Sequence, residues 1–344
     1  MTPARFAAIT GRYAGLTVGV VGDFCLDRYL EIDPARGESS IETGLDVYNV
    51  VNVRSQPGAA GTVLNNLVAL GVGTMIPVGF CGDDGEGYEL ERALRAMPGV
   101  DASLFLRTPL RRTFVYCKPL ILKPGHPPRE LNRLDSKNWT PTPDELQLQL
   151  ASSVKDLARR VDAMIVMDQV DLPETGTVTK RVREAAAAAG VRVALADSRR
   201  GLGDYPPLGH KMNAAELAKM MRVELPREIE GIGNLAAELA GRTGQPVFVT
   251  LAERGMVGAL ADGTIHSVAS HPLRGPIDVV GAGDAVTASL AAALAAEATP
   301  AEAMELAMAA ASVVLHQLGT TGTATLPQIA SLVVTTSAGS ARRL

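Results

Sequence analysis

Short apolar runs recur along the chain: LTVGVVG (16–22), MIPVGF (75–80), AMIVM (163–167), VRVALAD (191–197) and PVFVTL (246–251). None alternates polar with apolar, as a strand wetted on one face would, so each predicts a strand buried on both faces. Between them lie stretches with helical spacing: TVLNNLVALG, GYELERALRAM, DELQLQLASSVKDLARR, VTKRVREAAAAAG, NAAELAKMM and GNLAAELAGR. Strand and helix alternate, which predicts an α/β domain whose sheet is parallel and covered on both faces.

Two stretches break this rhythm. Residues 31–56 and 106–125, with LDVYNVVNVRS and RRTFVYCKPLIL, are rich in β-branched and aromatic residues and lack a helical period. They predict a small projecting β-sheet, a lid or a dimer surface, inserted in one domain spanning 1–344. A decorative insertion is the bland alternative. The Pro-rich KPGHPPRELNR (123–133) reads as the loop that leaves it.

Composition narrows the classes. The 344 residues are 47% hydrophobic and 20% charged, with a net charge of −4, an ordinary globular balance without a basic stripe. A nucleic-acid partner is therefore not expected. Cys25, Cys81 and Cys117 are odd in number and widely spaced, which argues against a disulfide framework or a zinc site. The Ala-rich segments near 285–315 are broken by Glu297, Pro300, Glu302 and Glu305, so no membrane span is expected. The N-terminus is too polar for a signal peptide, and the expectation is a soluble cytoplasmic protein.

The candidate chemistry centres on Gly281-Ala282-Gly283-Asp284, at the mouth of a long Ala-rich helix. The dinucleotide fingerprint needs a third glycine where Val286 stands, and no Gly-Lys-Ser/Thr follows. What remains is a glycine turn whose free N–H groups attract anions, or an ordinary helix start with a dipole-favoured Asp. Carboxylates also follow the predicted strands: Asp23 and Asp27, the acids of GFCGDDGEG, Asp168 and Asp197. Ligands gather at such strand ends in open α/β sheets, though each Asp alone could be a turn former. Asn213 and Glu216 have capping-box spacing, or place Glu216 near a phosphate-bound magnesium through water.

In their order, VGDFCLD, PGAAG, NAAE, TLAERG and DVVGAGD resemble the PfkB/ribokinase family of carbohydrate kinases across about residues 16–328. GDFCLDRY, NRLD and LGTTGTATLP are most similar to its heptose-phosphate kinases. The resemblance implies a ribokinase-like, doubly wound, mainly parallel sheet with a β-lid that often doubles as a dimer clasp. It implies ATP and Mg²⁺, with Asp284 as base and the N–H groups of Gly281, Ala282 and Gly283 as anion hole. Asn213 and Glu216 would lie near the phosphates and metal, Thr250, Gly255 and His316 near the nucleotide. Asp27, Gly58 and Asn66 would face the sugar. Arg111 and Arg112 at the lid strand and Arg133 in NRLD read either as contacts for a substrate phosphate or as solvated arginines on an insertion. The resemblance points to the first, with the anomeric hydroxyl of a heptose 7-phosphate as acceptor.

Departures from the family pattern fall at Ala59 and Thr62, at Ala252 for a common glycine, and at Val280 for a frequent threonine. The last leaves activation by a monovalent cation open. MDQVDLPETG (167–176) lacks the usual tyrosine–lysine stretch. A nucleoside kinase and a non-catalytic sugar or nucleotide sensor on the same fold stand as alternatives.

Overall fold

In the computed structural model, which describes residues 1–319 and 321–334, a nine-stranded sheet carries the body of the protein. Thr320 and the last ten residues of the expected domain, 335–344, lie outside the described residues. From one edge the strands are Phe105–Thr108, Thr74–Gly82, Thr17–Gly22, Ala163–Asp168, Val193–Ser198, Gly209–Asn213 and Val247–Thr250, all parallel. Met256–Ala259 and Ile265–Val268 extend the far edge antiparallel. The architecture is the expected doubly wound, mainly parallel α/β sheet.

Alternate residues of the central strands face opposite apolar clusters, which is why these runs carry no polar positions. Val18, Val20, Ile165 and Met167 join a cluster with helices Ala60–Ala69, Ala282–Ala295 and Pro300–Leu315. Val21, Met164 and Val166 join another, with Asp144–Ala158, Lys180–Ala188 and Ile229–Thr243. The two Ala-rich helices are apolar on nearly every side because they are buried on nearly every side. Among the described residues no helix is long and apolar enough to cross a membrane. Cys25, Cys81 and Cys117 are buried and unpaired.

The small sheet is wider than 31–56 and 106–125. Its strands, in order, are Leu134–Ser136, Phe114–Ile121, Phe24–Ile32 and Val50–Ala59, and Arg129–Glu130 also pairs with Phe114–Ile121. Phe24 follows the core strand Thr17–Gly22 after one residue, Asp23, and apolar residues resume at once with Phe24, Cys25 and Leu26. A single polar residue is therefore all that marks where the chain changes sheets. Residues 106–108 instead lie in the edge strand of the large sheet, 129–130 form a strand within the stretch 123–133 expected as loop, and 134–136 supply a further strand.

One core strand, Gly209–Asn213 (GHKMN), has no sequence signature. It carries a lysine and a histidine inside an otherwise apolar core, yet Gly209 to Met212 are buried. Lys211 tolerates that position because Asp197 on the adjacent strand neutralises it.

Candidate active site

Gly281 caps helix Ala282–Ala295 with φ 83°, a left-handed conformation that favours glycine. Ala285 N–H donates to its carbonyl, and Ala282 N–H reaches Val279 O at a long 3.4 Å. The N–H groups of Gly281, Gly283 and Asp284 find no partner among the described residues. They form the free donor set of a helix N-terminus, where the dipole favours an anion. Of the donors expected for an anion hole, those of Gly281 and Gly283 are free, as is that of Asp284, while the Ala282 donor is partly engaged.

Asp284 is half-buried in the first turn. Burial, then the Asp197 charge, pushes its carboxyl up to about 7, against the pull of Lys211; Asp27 raises it further and Arg199 lowers it. Those causes name its surroundings. Lys211 Nζ lies 2.7 Å from Asp197 Oδ2, and Thr287 Oγ1 donates to the same oxygen at 3.1 Å. A Cβ on Gly283 would stand 3.1 Å from Lys211 Nζ, so the glycine leaves room for a buried ammonium beside the hole. Burial works against the charge on Lys211, but Asp197, then Asp284 and Glu216, hold its pKa above the ordinary lysine value. Sequence reasoning missed Lys211. The available signal was a lysine in a short strand two residues before Asn213.

Asn213 and Glu216 form both hydrogen bonds of a capping box at helix Ala214–Met221, 2.9 Å and 2.8 Å. Glu216 nonetheless feels Asp197 and Lys211, and burial raises its pKa. Its carboxylate therefore belongs to the same electrostatic cluster as Asp284. Thr250 pairs in register with Asn213, and its hydroxyl donates weakly to Met212 O at 3.4 Å. Gly255 has φ 97°, and a Cβ there would meet Val268 O at 2.0 Å, so hairpin packing alone requires it. His316 is the C-cap of helix Pro300–Leu315. Its Nδ1 meets Ser312 O at 2.7 Å and its Nε2 accepts from Arg274 N–H at 2.8 Å. It lines a cavity of about 480 Å³ to which Asp284, Lys211, Asn213 and Thr250 do not contribute.

Asp27, whose charge reaches Asp284, is 5% exposed on strand Phe24–Ile32. A Cβ on Gly58 would lie 2.6 Å from its Cγ, which explains the glycine. Burial raises the Asp27 pKa while Lys118, 3.8 Å away, opposes that rise. Asn66 is buried and donates to Thr62 O at 2.9 Å, within its own helix. Thr62 and Thr321 both reach the Gly281 turn: a Cβ on Gly281 would lie 3.8 Å from Thr62 Cγ2 and 3.6 Å from Thr321 Cα. Ala59 has φ 54° and ψ −117°, and Ala252 has φ 52°. Both hold an L-residue where glycine is unstrained, at the two positions that depart from the family's glycines.

Arg112 does not join this site. Asn138 clamps its backbone in both directions, 3.2 Å and 2.9 Å, and its side chain is exposed. Arg111 turns to Thr140 and the Pro141 carbonyl. Arg133 alone among the three acts on Asp27. The carboxylates at the strand ends, an acidic rim to the sheet, are likewise largely engaged internally. Asp23 accepts backbone N–H groups from Gln169, Val170 and Thr177, and Asp84 caps helix Gly85–Ala96. Asp168 is held by Arg200, Tyr205 and Ser198 at 2.6, 2.8 and 3.1 Å. Asp27 and Asp197 are the rim carboxylates whose charges reach Asp284.

Among the described residues no group of three or more His, Cys, Asp or Glu could hold a metal unaided. A few carboxylates around a free N–H cradle instead suit a Mg²⁺ that arrives on phosphates and keeps its waters.

A model of the pfkB family carbohydrate kinases matches residues 25–327. Bifunctional protein HldE of Bradyrhizobium sp. (strain ORS 278) is 30% identical over 318 residues, 92% of this chain. The chain spans 63% of that relative's length. Among solved structures, Arabidopsis thaliana ribokinase complexed with ribose and ATP superposes with a TM-score of 0.64 at 18% identity, covering 93% of this chain and 99% of that one. Phosphofructokinase-2 from Escherichia coli in complex with potassium gives 0.69 at 16% identity, covering 92% and 98%. These two likenesses show a shared ribokinase-like fold.

Proposed function

This chain belongs to the pfkB family of carbohydrate kinases, and from that premise we propose that it transfers the γ-phosphoryl group of ATP to a sugar-phosphate hydroxyl. The proposed acceptor is the anomeric hydroxyl of a heptose 7-phosphate. The observation that carries the reading is Asp284, a carboxylate with a raised pKa, in the same turn as free N–H donors and beside a buried ammonium.

Phosphoryl transfer leaves the protein mainly positioning and charge stabilisation. Asp284 accepts the proton of the attacking hydroxyl, and a pKa near the working pH suits a base. Gly281 and Gly283 N–H groups, with the Lys211 ammonium, meet charge on the transferred group. Asp27 orients sugar hydroxyls. Mg²⁺, when bound, neutralises phosphate charge, with Glu216 orienting its waters. The test is ADP release with ATP and Mg²⁺ over neutral sugars, sugar phosphates and nucleosides. Turnover of sugar phosphates supports the reading; preference for a nucleoside replaces it, and no ADP release with any acceptor favours a sensor.

Glu216→Gln separates the metal role from the cap. Glutamine keeps a capping box, so the melting temperature should stay within about a degree. The Mg²⁺ concentration for half-maximal rate should rise severalfold. An unchanged Mg²⁺ dependence would leave Glu216 as a cap alone.

The small sheet also offers a subunit contact. Val50–Ala59 is its edge strand, and Val50, Val51 and Val53 are 43%, 48% and 45% exposed there. An unpaired edge with apolar side chains is a template for pairing, and we assign it to a second copy of the chain. Light scattering should find a dimer that Val51→Lys with Val53→Lys converts to monomer, with a raised KM for sugar if the sheet closes over the site. Unchanged mass and kinetics together would reject both roles.

A further inference from the structure

Around the ring of Tyr116, three cations and two carboxylates converge from three separate segments. Lys137, just past strand Leu134–Ser136, and Arg199, just past Val193–Ser198, hold opposite oxygens of one carboxylate. Lys137 Nζ lies 2.7 Å from Asp171 Oδ2, and Arg199 Nη1 lies 3.4 Å from Asp171 Oδ1. Arg133 grips Asp135 through two nitrogens at 3.1 and 2.7 Å, and its guanidinium lies 4.8 Å from the Tyr116 ring centroid. Lys137 lies 5.9 Å from the same centroid. One cation is left in excess.

The cluster stands next to the reacting centre. The Arg199 charge reaches Asp284, and the charges of Arg133 and Asp135 reach Asp27. Asp171 lies in the segment 167–176, where the chain departs from its family, and its side chain is 48% exposed. A carboxylate whose two oxygens are shared by a lysine and an arginine has the geometry in which two oxygens of a phosphate would be held. An exposed pair of this kind adds little to stability, so stability alone does not account for three cations assembled here.

We propose that Lys137 and Arg199, supported by Arg133, form the subsite for the substrate's own phosphate, and that Asp171 occupies it as an internal stand-in that the phosphate displaces. The inference rests on the sugar-phosphate reading above and moves its anchor from Arg111 and Arg112 to these residues. Asp171 sets the selectivity. It competes with weak anions and yields to a dianion carried on a correctly seated sugar.

Two variants with opposite expected signs test it. Asp171→Asn removes the competitor, and should raise kcat/KM for the sugar phosphate relative to its unphosphorylated parent about tenfold. Lys137→Met should lower the same ratio by about tenfold or more. Calorimetry with inorganic phosphate gives an arm independent of turnover: binding should strengthen in Asp171→Asn and weaken in Asp171→Asn with Lys137→Met. Ratios that move together or not at all, or phosphate binding indifferent to both changes, would overturn the subsite. The kinase reading fails by a different result, the absence of ADP release with every acceptor.

Discussion

Asp284→Asn is expected to lower kcat by ~10²–10⁴-fold, the usual range for loss of a general base, with the fold and ATP binding intact. The same change should stabilise the protein at neutral and alkaline pH. The folded carboxyl is raised from 3.8 to about 7, so ionising it opposes folding. That opposition starts above the unfolded value, grows as pH rises, and is complete above the folded value. The variant should therefore melt higher than the parent at pH 8 and equally at pH 4. The parent's kcat/KM should fall as pH drops through about 7 in the absence of bound ligands' charges, because the base is then protonated. Steady-state rates and melting curves across that range check both limbs. A near-normal kcat in the variant would remove Asp284 from the proton transfer. A lower melting point at pH 8 would show that the carboxylate is structural. Gain of stability with loss of activity is the pattern of a group held at odds with its surroundings for function.

The Asp284 turn was legible in the sequence because it is local: four consecutive residues set the glycine conformation, the free donors and the acid. The central strands and their covering helices were legible for a similar reason, since burial on both faces writes an unbroken apolar run. What the sequence hid is made by distant segments. Asp197, Lys211 and Thr287 meet from two strands and a helix, and the lysine disguised the strand that carries it. Arg112 illustrates the converse. Its proximity to a lid strand suggested a phosphate contact, but Asn138 fixes its backbone and leaves the side chain in solvent. Asn213 and Glu216 could be read as cap or as catalytic pair, and their geometry is a capping box within electrostatic reach of Lys211. The glycine departures at Ala59 and Ala252 could be seen in the sequence; that both fall at positive φ needed the backbone.

Lys211→Met should be the most damaging single change in the site, and for two separable reasons. The methionine fills similar space but strands Asp197, 9% exposed, with the Thr287 hydroxyl as its remaining side-chain partner. Removing one partner of a buried ion pair typically costs about 3–5 kcal/mol, so the melting temperature should fall by several degrees. It also strips the ammonium from beside Gly283, where charge on the transferred phosphoryl would develop. Loss of one preorganised donor of that kind lowers kcat by ~10²–10³-fold. Structural damage alone could slow the enzyme, and the double variant Asp197→Asn with Lys211→Met separates the two effects. Asparagine removes the stranded charge while keeping an acceptor for Thr287, so most of the lost stability should return. If Lys211 acts on the phosphoryl group, the double variant stays as slow as the single one. Recovery of rate together with melting temperature would make Lys211 a counter-ion of Asp197 and nothing more. A single variant that melts normally would contradict the buried pair itself.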